Sequence, residues 1–410
     1  MPIKQTIEIG LSVVTLLGTI LCPTGFSLPV QAVPDLPIEP SPALMAENSA
    51  IDDFQRVAQA EKATLVQYSL LEDSSGNSIF IWVIPPEGDI QFRQIELDSN
   101  PISQIVTEAR QQILNLGFSR SAKINSFPAL QELYRIVIQP IAEFLPQEPG
   151  SLVVFIPQGD LFLVPFAALQ DEAGTYLVDR YAIATAPSIE ALDLLHQRRQ
   201  TVTGLAGDVL VVGNPTPPVV SSAPGVDSQP LSPLPRAQRE AIEIAKLFHT
   251  EALIGDRATQ SAILERMPSA RIIHLATYNS ADWTGEFPES IALSATKTDT
   301  GLLAADQIQA LNLNAELVVL SSNSSALGQI TGDGSIGIPR AFMVSGVPTV
   351  IASLWTIENN STAVLMQEFY RQLQHDPHPA QAFRQAMLIV RENYPHPRDW
   401  AAFTVIGASQ

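Results

Sequence analysis

A chain of 410 residues that is 46% hydrophobic and 16% charged has enough apolar side chains to build a sizeable core, which excludes an intrinsically disordered protein. The net charge of -19 is spread over scattered Asp and Glu, and no basic patch stands out. That balance favours solubility and argues against nucleic acid or an anionic membrane surface as a partner.

Residues 1–32 read as a signal peptide: Lys4 near the start, an apolar run from Ile9 to Leu21, and the small-residue signature Val30-Gln-Ala32. The expectation is an exported protein, periplasmic or extracellular, with anchoring by an uncleaved N-terminal segment as the alternative. The run is shorter than the ~20 residues of a membrane span and is followed at once by Pro23 and Gly25. Cys22 is the only cysteine, so cleavage after Ala32 would leave no thiol for a disulfide, a metal or a nucleophile. No cofactor and no metal are implied.

Residues 33–50, rich in Pro, Ser and Ala, read as a flexible linker. From residue 51 to 150 the pattern predicts an antiparallel β-meander followed by helices. The strands are Lys62–Leu70, Ser78–Ile84 and Asp89–Leu97, and the helical stretches are Pro101–Leu116 and Pro128–Phe144. In the second helical stretch Leu130, Leu133, Ile136, Val137 and Ile141 fall close to one face.

Residues 151–410 alternate short apolar runs with amphipathic helices, the pattern of a mostly parallel sheet covered on both faces. The strand candidates are Leu152–Ile156, Val209–Val212, Arg271–Ala276, Leu317–Leu320, Thr349–Ala352 and Ala402–Ile406. Ala241, Ile244, Ala245 and Phe248, and again Phe383, Ala386, Met387 and Val390, follow helical spacing. The stretch from Pro215 to Pro235 contains six further prolines from Pro217 on and reads as a long surface loop.

Active groups of parallel sheets gather at the carboxyl ends of strands. Two such ends carry chemistry-bearing residues, Ile272-Ile-His-Leu-Ala-Thr-Tyr-Asn279 and Leu317-Val-Val-Leu-Ser-Ser-Asn-Ser-Ser325. Together with Ser151-Leu-Val-Val-Phe-Ile-Pro-Gln-Gly-Asp160, Leu163-Val-Pro-Phe-Ala-Ala-Leu169, Leu210-Val-Val-Gly-Asn-Pro215, Gly334-Ser-Ile-Gly-Ile-Pro-Arg-Ala-Phe342, Val350-Ile-Ala-Ser-Leu-Trp355 and Trp400-Ala-Ala-Phe403, they resemble the CHAT family. That family is a caspase-like domain of bacterial proteins, related more distantly to caspases and separases. The resemblance implies an α/β caspase-like fold and a cysteine-protease site with a histidine base and a cysteine nucleophile. Laid onto this chain, the base position falls on Tyr278, the glycine after it on Asn279, and the nucleophile on Asn323.

The resemblance thus implies a degenerate member. A thiolate–imidazole mechanism needs a group that takes and returns a proton near neutral pH, whereas a phenol titrates near pH ~10 and a carboxamide is not a comparable nucleophile. The expected function is that of an exported pseudo-protease that binds a peptide or protein. Tyr278 and Asn323 mark the degenerate cleft, and His274, Asn279, Ser322, Ser324 and Asp333 are possible lining residues. One alternative is a hydrolase rebuilt around Ser322 or Ser324 with His274; another is a structural subunit of a secreted complex. His274 reads either as a rescued base or as a buried strand histidine, and the serines as nucleophiles or as turn residues. His375-Asp-Pro-His378 reads as a polar turn, not a metal site.

Overall fold

The computed structural model describes residues 52–73, 76–97, 101–115, 127–204, 207–217, 219–220, 229–279, 289–322, 325–326, 329–331, 334–355 and 360–410. The signal and linker expectations lie outside these residues.

The meander is present as β1 (Thr64–Asp73), β2 (Gly76–Ile84) and β3 (Gln91–Leu97), paired antiparallel in that order. It is not a separate layer. β1 lies parallel to β4 (Leu152–Ile156), with Leu65 opposite Val154, so the meander extends the main sheet. β5 (Ala182–Thr185) follows, then β6 (Asp208–Pro215). Inside the proline-rich connection β7 (Val219–Val220) pairs with β8 (Gln229–Pro230), so the stretch predicted as loop contains a short ribbon.

Next come β9 (Leu253–Gly255), β10 (Ala270–Ala276), β11 (Tyr278–Asn279), β12 (Ser290–Ala292), β13 (Leu302–Ala304) and β14 (Leu317–Leu320). β15 (Gln329–Thr331), β16 (Gly334–Ile336), β17 (Thr349–Ser353) and β18 (Phe403–Gly407) complete the chain. Eleven strands form one sheet in the order β3-β2-β1-β4-β5-β18-β17-β14-β10-β6-β9.

Its pairings are mostly parallel, as predicted, but β17 and β18 run antiparallel in mid-sheet. The reason is in the connection. The long helices Asn360–His375 and Pro379–Asn393 lie between these strands, and a second crossing returns the chain to the end it left. β5 and β9 escaped the sequence reading because four and three residues are too few to show a period.

Strand alternation divides the core. On one face Val212, Ile273, Leu275, Val318, Leu320 and Ala352 pack with Ile263, Ile308 and Phe342 from short helices. On the other, Val211, Ile272, Val319 and Ile351 meet Ala241, Ile244, Leu365, Phe369 and Phe383. Leu130, Leu133, Ile136, Val137 and Ile141, predicted to share a face, are all buried, although the α-helix ends at Val137 and a 3-10 turn, Gln139–Phe144, carries Ile141. The Pro235–Leu247 helix approaches β6 so closely that a Cβ on Gly213 would lie 2.4 Å from Ala241 Cβ and 2.6 Å from the Ala237 carbonyl oxygen. Only glycine permits that approach.

Candidate functional site

β10 and β14 are parallel neighbours with Leu275 opposite Leu320, and the Ser321 amide donates to the Leu275 carbonyl at 2.9 Å. The segments leaving the two strands therefore emerge side by side at their carboxyl ends. β17 adds Ser353 beside them, one residue beyond Ala352, which pairs with Leu320.

Tyr278, at the first of these exits, is 3% exposed. It begins β11 opposite Ala292 and packs with Leu231, Leu234 and Leu302. Its hydroxyl donates to the Ser232 carbonyl, so the phenol ties the proline-rich connection to the end of β10. Asn279 continues β11 opposite Ile291, so a paired strand residue stands where the resemblance implies a glycine.

At the second exit Ser322 is buried, and its carbonyl accepts from Ser353 Oγ. Ser325 Oγ donates to the Leu320 carbonyl at 2.8 Å, and the Ala326 amide donates to the Ser353 carbonyl at 2.8 Å. The serines that can be placed thus hold the loop in shape. Asn323, Ser324 and Asp333 lie outside the described residues.

His274 is fully buried on the face that also carries Ile272, so it does not line a cleft open to solvent. Its Nδ1 lies 3.1 Å from the Tyr370 hydroxyl on the Asn360–His375 helix, and its Nε2 lies 3.1 Å from Glu240 Oε1 on the Pro235–Leu247 helix. The Nε2–Oε1 approach is close but not aligned as a hydrogen bond. Burial, and then the Glu240 carboxylate, push the Tyr370 phenol well above its ordinary value. The alternation of β10 sends His274 toward these helices, so both ring nitrogens face helix side chains and neither is paired with a serine among the described residues.

Sequence reading missed Glu240, Tyr370 and Ser353. A usable signal existed for Glu240, an acidic residue beside Ala241 and Ile244 on an apolar helix face and only 4% exposed. Asn214 was also missed as a tether for the start of that helix. It lies one residue before the end of β6 with φ 45°, and its Oδ1 accepts from the Leu234 amide at 2.6 Å, just ahead of the helix that carries Glu240.

His378 Nδ1 lies 2.6 Å from Asp376 Oδ1 in the turn between the two long helices, and no cluster of three metal-ligating side chains occurs among the described residues. Trp355 is buried. No helix among the described residues is long and apolar enough to cross a membrane.

The eleven-stranded, mostly parallel sheet with helices on both faces and two loaded strand ends defines a caspase-like α/β protein. The chain belongs to the CHAT domain family, which it matches over residues 128–408. It is 27% identical over 327 residues to tetratricopeptide repeat protein 28 of Mus musculus, and equally to that of Homo sapiens. Each alignment covers 68% of this chain but only 13% of the relative, so this chain corresponds to a small part of those proteins. With mammalian proteins among its relatives, family membership does not by itself point to the bacterial source that the resemblance implied.

Among solved structures, the Saccharomyces cerevisiae separase–securin complex is similar with a TM-score of 0.55 at 10% identity, covering 89% of this chain and 31% of that one. At that identity the likeness is one of fold.

Proposed function

We propose that this chain is a CHAT domain without protease chemistry, exported from the cell, that acts by binding a peptide or protein at the ends of β10 and β14. The observation that carries the reading is Tyr278. At the position of the family's histidine base stands a buried phenol whose hydroxyl is engaged with the Ser232 carbonyl. Such a group neither accepts a proton near neutral pH nor faces an incoming peptide. The family resemblance implies Asn323 for the nucleophile position, and a carboxamide there supports the same reading. Binding needs shape, edge strands and a few polar anchors, and these outlive the loss of a catalytic pair.

The rebuilt hydrolase would need His274 within hydrogen-bond reach of a serine hydroxyl, and its contacts to Tyr370 and Glu240 weigh against it. The test is incubation of the purified protein with a proteome-derived peptide mixture, beside His274→Ala and Ser322→Ala variants. Absence of cleavage above buffer is expected. Turnover lost in either variant would overturn the reading. Export rests on residues 1–32; N-terminal sequencing of the protein from fractionated cells should find Val33 first and outside the cytoplasm.

A further inference from the structure

We propose that the outward face of β2 and β3 is the docking site of the chain's own proline segment, Val33 to Pro42. Along β2, Ile79, Ile81 and Val83 are buried, and the residues between them, Phe80 and Trp82, point to the opposite face and stay partly exposed. Trp82 stands opposite Phe92 of β3, and Phe80 opposite Gln94. The three rings form one continuous patch. Phe80 and Phe92 are stacked with centroids 6.0 Å apart, Trp82 lies 5.2 Å from Phe92, and Phe80 lies 6.2 Å from Trp82.

The polar residues that border the rings directly are uncharged, and the one carboxylate on this face of β3, Glu96, stands opposite Ser78 beyond them. On β1, Gln67 stands opposite Trp82 and Ser69 opposite Phe80, while Gln94 flanks the rings on β3. Adjacent rings bordered by amides and a hydroxyl suit a polyproline II segment. Its rings pack on aromatic faces, and its carbonyls, which make no internal hydrogen bonds, are free to accept from side-chain amides.

The chain itself carries such a segment. In Val33-Pro-Asp-Leu-Pro-Ile-Glu-Pro-Ser-Pro42, Pro34, Pro37 and Pro40 recur every third residue, the period of that helix, which sets them along one ridge. The way into the described chain also points here. In the first helix, residues 52–60, Gln55 donates its side-chain amide to the Gly88 carbonyl, in the connection between β2 and β3. The described chain therefore begins beside the β2–β3 connection, next to the Trp82–Phe92 end of the ring patch. Residues 43–51, if extended, span up to about 30 Å, whereas crossing three strands takes only about 10–15 Å.

The experiment uses the full chain with Cys22→Ser, carrying Pro37→Cys and Gln94→Cys, oxidised mildly and read by intact mass and peptide mapping. A disulfide within one chain is expected, and none in a control pairing Pro37→Cys with Glu251→Cys. In parallel, oxidative labelling of Trp82 should rise several-fold when Pro34, Pro37 and Pro40 are all replaced by Ser, with Trp355 and Trp400 unchanged. These substitutions lie outside the buried core, so the readout does not depend on refolding. Equal labelling of Trp82 in both proteins would overturn the proposal. So would a disulfide formed only between chains, which would assign the face to a second copy.

Discussion

Ser325 and Ser353 exchange hydrogen bonds across the site: the Ser353 amide donates to Ser325 Oγ at 2.8 Å, and the Ser325 amide donates to Ser353 Oγ at 2.9 Å. Both are buried, and their hydroxyls lie 3.2 Å apart. The reciprocal clasp fixes the loop after β14 to the end of β17. Either serine replaced by Ala leaves a buried amide unpaired, at a cost of about 1–3 kcal/mol. Urea unfolding of Ser325→Ala, Ser353→Ala and the double variant should show the pair losing less than the sum of the singles, the signature of one shared interaction.

Tyr278→Phe keeps the ring among Leu231, Leu234, Ala292 and Leu302 and removes only the hydroxyl that holds the Ser232 carbonyl. A loss of about 1 kcal/mol is expected, with faster amide hydrogen exchange around residues 231–234 and no gain of peptidase activity. Unchanged exchange would mean that the phenol does not tether this connection.

His274 and Glu240 face each other in a fully enclosed site beneath two helices. Their approach is not a hydrogen bond, so what each truncation removes is the other's close polar neighbour in a buried site, and His274→Ala also takes away the partner of the Tyr370 hydroxyl. His274→Ala and Glu240→Ala should therefore each destabilise by roughly 2–4 kcal/mol, the double variant by less than the sum, by the cost of an unpaired buried polar group. Thermal or urea unfolding measures it, and a fully additive result would show that the two do not interact.

His196, on the Ile189–Val202 helix, lies 2.7 Å from the buried Glu61, and the hydrogen bond to that carboxylate raises the imidazole above its ordinary value. A raised folded-state value means that the protonated form stabilises the fold. The contribution is complete below about pH 6.5 and is lost as pH rises through the folded-state value. His396 behaves oppositely: burial holds it below its ordinary value, so its neutral form stabilises, and that contribution is lost as pH falls below about 6.5. Urea midpoints from pH 5 to 9 should lose their alkaline slope in Glu61→Gln and their acid slope in His396→Gln.

Much of the fold was legible because burial on both faces writes continuous apolar runs into a strand. Leu152–Ile156, Leu317–Leu320 and Thr349–Ser353 are of this kind, and every residue in them is buried. The family pattern around Tyr278 also located one exit of the site. What could not be read were partnerships across distance. His274 and Tyr370 are 96 positions apart, and Ser325 and Ser353 are 28 apart.

By itself, the sequence determined the longer strands and helices, that the sheet is mostly parallel, and that no imidazole stands at Tyr278, because these depend on local periodicity and residue identity. Tertiary structure alone decided that the meander joins the main sheet through β1 and β4, that β18 runs against β17, and that His274 turns to Glu240 and Tyr370. Such pairings arise when separate elements are brought together to satisfy buried polar atoms and fill space, and no periodicity along the chain records them.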